Sequence, residues 1–378
     1  MRPYRVRLLL YAVALLGITP IAWAAEDLIV QPQALGLTEP YRILVDKVLM
    51  AATGWKVTEG SVREVAGAGF NIYVPREGGD SEYELRRVAS LAAKNGLFTM
   101  AWLRGSFRAK DDKSNLRYTH KNGLTGNMLS PNTEQFWTMF SEQTLLVARI
   151  SQQHHNLLGV FLDFENYDIQ GKYGWGILYE ESYDDTSWKS FFDGKGIPVP
   201  SVLLAQRAQW IDEHGMTKQY QECQMALWRK KCRELRIEID KINPNFRLAL
   251  YPAPGSPFMV KAVMTELCKD GAPCILADSA TYGPLSSPVT ETAIEKGRQL
   301  LIKRRESLGA MGKTNHYVAG LDPIVKGATP EYCGMGARVF SSAVNGYWVF
   351  YEGPVYGQPS HEEYFKQFRK ANQLLQKK

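Results

Sequence analysis

Beyond residue 45 the chain alternates eight times between a short apolar run and a longer stretch, most of them helical in period. That alternation limits the possible folds more than any other feature. The strand candidates are Val48–Gly54, Phe70–Pro75, Phe98–Leu103, Leu157–Phe164, Phe246–Tyr251, Cys274–Asp278, His316–Leu321 and Tyr347–Tyr351. Each closes on turn residues or a polar side chain. Helical spacing is clearest in Tyr83–Lys94, Thr133–Gln153, Leu203–Lys241, Glu291–Leu308 and Glu362–Gln376. Ala93-Lys94-Asn95-Gly96 and Ala343-Val344-Asn345-Gly346 read as helix ends, where Asn and Gly tolerate the left-handed cap. Strand–helix alternation implies a parallel sheet. Eight units in 378 residues fit a single closed (β/α)8 TIM-type barrel better than an open doubly wound sheet, which stands as the alternative. No Gly-rich phosphate loop follows the first strand, against a nucleotide-binding version. The pattern predicts one barrel over residues 45–376, with Leu203–Lys241 as its longest helix.

The N-terminus reads as a signal peptide. Arg2, Arg5 and Arg7 precede an apolar run, Leu8 to Ile21, and Ala22-Trp23-Ala24 fits the small-x-small cleavage rule. The run is short for a membrane span. Residues 1–24 are set aside as leader and 25–378 as the barrel domain. This predicts an exported protein, periplasmic or extracellular, with no membrane span after cleavage. Three of the six net positive charges lie in the leader, so the remaining chain is only mildly basic and gives no footprint for nucleic acid. Export permits disulfides. Cys223 and Cys232 fall on opposite faces of one helix, roughly 13 Å apart along its axis, and should not pair. Cys268 and Cys274 flank a Gly-Ala-Pro turn and can close a small loop; an odd count leaves at least one thiol over. No C-x-x-C or H-E-x-x-H spacing marks a metal site, and no cofactor is expected.

In such a barrel the C-terminal strand ends converge on one mouth, where barrel enzymes place their chemistry. The fourth strand runs into Asp163-Phe164-Glu165. Alternation puts both acids on one side, roughly 7 Å apart along the backbone. Each raises the other's pKa, an arrangement suited to acid/base work on a glycosidic bond. The plainer reading makes Asp163 a cap and Glu165 the partner of an arginine. Other strand ends add Glu352, Asp322 and Asp278 as further carboxylates, and Arg76, Trp102, Arg104, Tyr251 and Trp348 as candidate substrate contacts. Asp322 before Pro also reads as a helix-start signal, Glu352 as part of a Glu-Gly-Pro turn, and Asp278 as a cap. Two connections are long, Arg104–Asn132 and Asn166–Ser201. Loops of that length are usually functional or disordered, and the eight rings of the second argue against disorder. Tyr173 and Trp175, set among glycines, are its candidate sugar-stacking rings and Tyr167 a further candidate substrate contact, whereas Asp184 to Asp193 can form a short helix that buries Trp188 and Phe192.

The chain resembles secreted barrel glycoside hydrolases. Gly67-Ala68-Gly69-Phe70-Asn71-Ile72-Tyr73-Val74 is similar to the second unit of many such barrels. Gly159-Val160-Phe161-Leu162-Asp163-Phe164-Glu165 resembles the fourth-strand signature of family 18 chitinase-like enzymes, Asp-Gly-x-Asp-x-Asp-x-Glu, keeping its last Asp and its Glu but placing Phe161 where that family has another acid. A second resemblance is to clan A hydrolases, with an acid/base Glu after strand four and a nucleophilic Glu after strand seven. Glu165 fills the first place; strand seven offers Asp322. These resemblances imply a polysaccharide or oligosaccharide substrate and no cofactor. Glu165 would be the general acid, Asp163 its tuning partner, and Glu352, Asp322 or Asp278, in that order, the second carboxylate. The alternative function is a catalytically silent glycan-binding barrel of the cell envelope.

Overall fold

Eight parallel strands close on themselves in a computed structural model that describes residues 31–76, 81–104, 107–108, 116–165, 180–256, 258–283, 289–309, 315–324 and 327–376. In chain order the elements are β1 (Tyr41–Asp46), α1 (Val48–Ala52), α2 (Glu59–Gly67), β2 (Ile72–Pro75), α3 (Glu82–Lys94), β3 (Phe98–Arg104), β4 (Arg117–Thr119), β5 (Thr125–Leu129), α4 (Glu134–Ser151) and β6 (Leu157–Asp163). They continue with α5 (Asp185–Lys195), α6 (Arg207–Glu213), α7 (Thr217–Ile242), β7 (Arg247–Ala253), α8 (Thr265–Leu267), β8 (Cys274–Asp278), α9 (Glu291–Gly309), β9 (Asn315–Leu321), α10 (Pro330–Phe340), β10 (Gly346–Tyr351) and α11 (Pro359–Leu375). Around the barrel the order is β1-β10-β9-β8-β7-β6-β3-β2, while β4 and β5 form a separate antiparallel hairpin after the third barrel strand. The fold is therefore a (β/α)8 TIM barrel. Strands β6 and β10 stand diametrically opposite in this ring.

Strand alternation divides the apolar residues between two cores. Ile43, Val45, Ile72, Val74, Met100, Trp102, Phe161, Ala249, Ile275, Val318 and Trp348 fill the lumen. Leu44, Tyr73, Ala101, Leu162, Leu250, Leu276, Tyr317 and Val349 face the helices. A third cluster lies outside the barrel, where Trp188, Phe191 and Phe192 of α5 pack with Ile211 and Tyr220. The short helix expected over Asp184 to Asp193 is thus present, with both of its predicted core rings buried. Asp184 caps it by accepting the Ser187 N–H at 2.9 Å.

Two sequence readings are corrected. The first strand is Tyr41–Asp46, and Val48–Ala52, expected as strand, is helix. A short apolar run does not by itself separate the two states. Here the Asp46 carboxylate decides, accepting the Leu49 N–H at 2.9 Å and turning the chain into α1. Arg42 obscures the true strand in sequence. It faces outward, donating to the Gly69 carbonyl at 2.7 Å and pairing with Glu39. The helix expected over Leu203–Lys241 is broken at Gly215, whose φ of 63° suits glycine, leaving α6 and a 26-residue α7. Residues Cys268 and Cys274 are disulfide-bonded, whereas Cys223 and Cys232 are not paired. Among the described residues no helix is long and apolar enough to cross a membrane. The expected leader, residues 1–24, lies outside the described residues.

The N-terminal ends of the strands are closed by the segment around Pro32–Ala34. Arg247, the first residue of β7, donates to the Pro32 carbonyl at 2.6 Å and to the Tyr41 hydroxyl at 2.7 Å. That hydroxyl also meets His316 Nδ1 at 2.9 Å. Burial, then the nearby Arg247, holds the His316 pKa down to about 4.

Glycine at 159 is set by the approach of β7: a Cβ there would lie 1.8 Å from the Arg247 carbonyl oxygen. Gly159→Ala is expected to cost at least about 1–3 kcal/mol, the usual penalty of overpacking. The end-of-helix control Gly67→Ala, with no atom within 4 Å of the new Cβ, should be neutral or slightly stabilising. Urea unfolding of both variants checks this.

Candidate active site

The inward positions of β6 are Gly159, Phe161 and Asp163, and Glu165 follows one pleat beyond. Register aligns Asp163 with Arg104 on β3 and with Tyr251 on β7. The two acids are handled differently. Asp163 is buried and fully engaged: Oδ1 accepts the Glu165 N–H at 3.0 Å, and Oδ2 pairs with Arg104 at 2.7 Å. Burial raises its pKa, and Arg104 opposes the rise. Glu165 is partly buried, and its Oε1 accepts the Tyr251 hydroxyl at 3.0 Å. Burial first, and then the Asp163 charge, push its pKa up to about 7. A carboxyl with that pKa holds its proton for a large part of the time at neutral pH, as a general acid requires.

The plainer reading of this motif is also partly realised. Asp163 does cap the turn beyond β6, and it pairs with an arginine, Arg104. Both readings describe the same geometry, in which Asp163 pairs with Arg104 and Glu165 accepts the Tyr251 hydroxyl.

Aromatic rings form the floor beneath these acids. Trp102 stacks on Phe161 at 5.1 Å, Phe161 meets Trp348 at 5.4 Å, and Trp348 meets Tyr251 at 5.0 Å. Trp348 is 0% exposed and donates its indole N–H to the Asp278 carbonyl at 3.0 Å; Trp102 is 6% exposed. Both are therefore packing residues rather than open platforms. The Arg76 guanidinium lies 4.9 Å from the Trp102 ring centre and 4.6 Å from that of Phe350. It donates to Glu352 Oε2 at 3.1 Å, and Lys47 holds Glu352 Oε1 at 2.7 Å. Arg76 also feels the charges of Asp163 and Glu165. Glu352 follows β10, the strand opposite β6.

Asp322 shares the lumen side of β9 with Val318 and Gly320. It is fully buried, with Oδ1 accepting the Ile324 N–H at 2.8 Å and its own N–H donating to the Tyr282 carbonyl at 3.0 Å. Asp278 is not brought to the mouth. It lies on the outward face of β8, where Tyr317, Arg304 (3.0 Å) and the Ala280 N–H (2.6 Å) hold its carboxylate between the barrel and α9. Strand parity explains this: Ile275 and Ala277 face inward, so Asp278 faces out. Tyr167, Tyr173 and Trp175 lie outside the described residues.

Three mouth residues escaped the sequence reading. Phe350 sits two residues before Glu352, and period-two spacing alone could have found it. Lys47 immediately precedes Val48–Gly54, the run misread as the first strand. Tyr282 lies in the connection after β8, with no periodic signal. It reaches the lumen because Gly320 has no side chain: a Cβ there would lie 2.7 Å from the Tyr282 ring. The Tyr282 ring stacks with that of Tyr251 at 6.1 Å, so Glu165, Tyr251 and Tyr282 form one connected group. Among the described residues no cluster of His, Cys, Asp and Glu could hold a metal ion.

No family model matches this sequence, and no curated protein does. Solved structures do. A β-galactosidase from Bacillus circulans sp. alkalophilus superposes with a TM-score of 0.56 at 11% identity, covering 90% of this chain and 56% of that one. A β-galactosidase from the psychrophilic Marinomonas ef1 gives 0.56 at 11% identity, with 89% and 59% covered. The chain thus spans little more than half the length of either. At 11% identity the likeness is one of fold alone.

Because the native state keeps the Glu165 proton that the unfolded chain releases near pH 4.5, this group lowers stability as pH rises from there through about 7. Glu165→Gln removes that cost. The variant should melt close to wild type at pH 5 and above it at pH 8, as read by calorimetry at the two pH values.

Proposed function

We propose that this chain is an exported, cofactor-free glycoside hydrolase acting on a polysaccharide or oligosaccharide. One observation carries the reading: a mouth-side Glu165 whose pKa is raised to about 7, held by the Tyr251 hydroxyl beside an arginine-paired Asp163. Glu165 is the proton donor to the leaving glycosidic oxygen. Asp163 contributes the charge that keeps this proton on, and Tyr251 fixes the direction in which it is offered. Glu352 is the preferred second carboxylate, since it follows the strand opposite β6 and Arg76 ties it to the aromatic floor. Asp322, from the neighbouring strand β9, is next. Asp278, turned outward, leaves the set.

The family 18-like motif supports the Asp163–Glu165 pairing. Phe161, however, stacks on Trp102 and packs against Trp348, filling with rings the place of that family's further acid. This favours a pair of carboxylates from two strands over assistance by the substrate. A glycan-binding barrel without catalysis gains little from a buried, protonated carboxyl and much from open rings, and neither Trp102 nor Trp348 is open. Export accords with the Cys268–Cys274 disulfide, a bond that persists in oxidising compartments.

Reducing-end release from a panel of cell-wall and extracellular polysaccharides tests the activity. Glu165→Gln should lower turnover by about 10²–10⁴-fold, the usual loss on removing a general acid. Wild-type turnover in that variant would remove Glu165 from the role.

The alkaline limb of kcat/KM against pH should fall near pH 7 in the wild type. Tyr251 stabilises the charged form of Glu165, so Tyr251→Phe should move that limb to higher pH. An unmoved limb would place the titration on another group.

A further inference from the structure

Beside the mouth lies an open depression of about 520 Å³, bordered by α1, by the turn after β9 and by the turn after β10. It is within the usual size of small-molecule sites. Its lining is mostly aliphatic, with Val48 and Ala51 from α1, Ile324, Pro354 and Val355, and one ring, Tyr356. Ile324 is 53% exposed and Val355 63%, so apolar side chains stand in water here. The walls are nonetheless fixed. Gly353 has a φ of 103°, and a Cβ there would lie 3.0 Å from Ile324 Cβ, so the two turns meet closely. Tyr356 is held by its hydroxyl to Glu64 at 3.0 Å.

This groove is continuous with the candidate active site through one side chain. Glu352 lines it and forms the partition: Oε1 binds Lys47, also a lining residue, and Oε2 binds Arg76 over the lumen rings. A pyranose is recognised by flat rings and by donors and acceptors to its hydroxyls. The groove presents one ring, and its two charged groups are already paired to each other. Aliphatic walls remove water best from aliphatic chain.

We infer that the groove binds an alkyl or acyl chain attached to the sugar processed in the mouth, so that the substrate class is a glycolipid-like glycoside. This rests on the hydrolase reading for the sugar and on the groove alone for the chain. With the saccharide over Glu165 and Glu352, its apolar substituent would leave past Lys47 and lie between Ile324 and Val355.

The test is calorimetric titration of the full chain with n-alkyl β-D-galactopyranosides and β-D-glucopyranosides from methyl to octyl, kept below micelle-forming concentrations. Hydrolysis of the same compounds is followed in parallel. Affinity should rise with chain length and reach at least tenfold from methyl to octyl. Ile324→Asn with Val355→Asn should abolish the rise without changing affinity for the methyl glycoside. Val355→Asn alone, at an exposed position, should reduce it, and serves if the double variant unfolds. Equal affinity for methyl and octyl compounds, or a chain-length preference that survives these substitutions, would overturn the inference. A preference lost in the variants supports it even if no glycoside is cleaved, an outcome that would count against the hydrolase reading alone. Cleavage of oligosaccharides without any chain-length preference would do the reverse.

Discussion

The contact on which the site depends is the pairing of Arg104 with Asp163. Both residues end neighbouring strands and face the lumen, so the barrel register brings them together. A buried carboxylate without a partner would be costly and would take up a proton. With the guanidinium on one oxygen and the Glu165 N–H on the other, Asp163 can carry charge in a buried place. That charge, added to burial, raises Glu165. Removing Arg104 would therefore alter the turn that aims Glu165 as well as the field around it.

The rest of the mouth follows a similar economy of charge. Glu352 is shared by Lys47 and Arg76, and Arg76 rests on the rings of Trp102 and Phe350. The arginine spreads a delocalised charge across an apolar floor and so keeps a carboxylate at its edge. Glu165 accepts a neutral hydroxyl, that of Tyr251.

Much of this was legible in the sequence because strand parity is a rule of two. The eightfold alternation showed the barrel, and the apolar run to Asp163 showed which side of β6 its acids take. Parity also explains the misplacement of Asp278, since the cap-like Asp-Ser-Ala sequence does not reveal which face β8 turns inward. Arg42 hid the first strand, because a strand facing helices on its outer side need not look apolar when a partner such as Glu39 is near. Tyr282 was invisible because its place in the lumen depends on what Gly320 lacks. That vacancy is created across two strands, and no local pattern contains it.

The hydrogen bonds of Arg247 beneath the barrel have a consequence for geometry at larger scale. They fasten the segment around Pro32 to the strand starts, on the face opposite the mouth. Whatever is joined to the chain ahead of Pro32 is therefore attached at the closed end. Attachment at Pro32 leaves the face that carries Glu165 and Glu352 on the far side of the barrel.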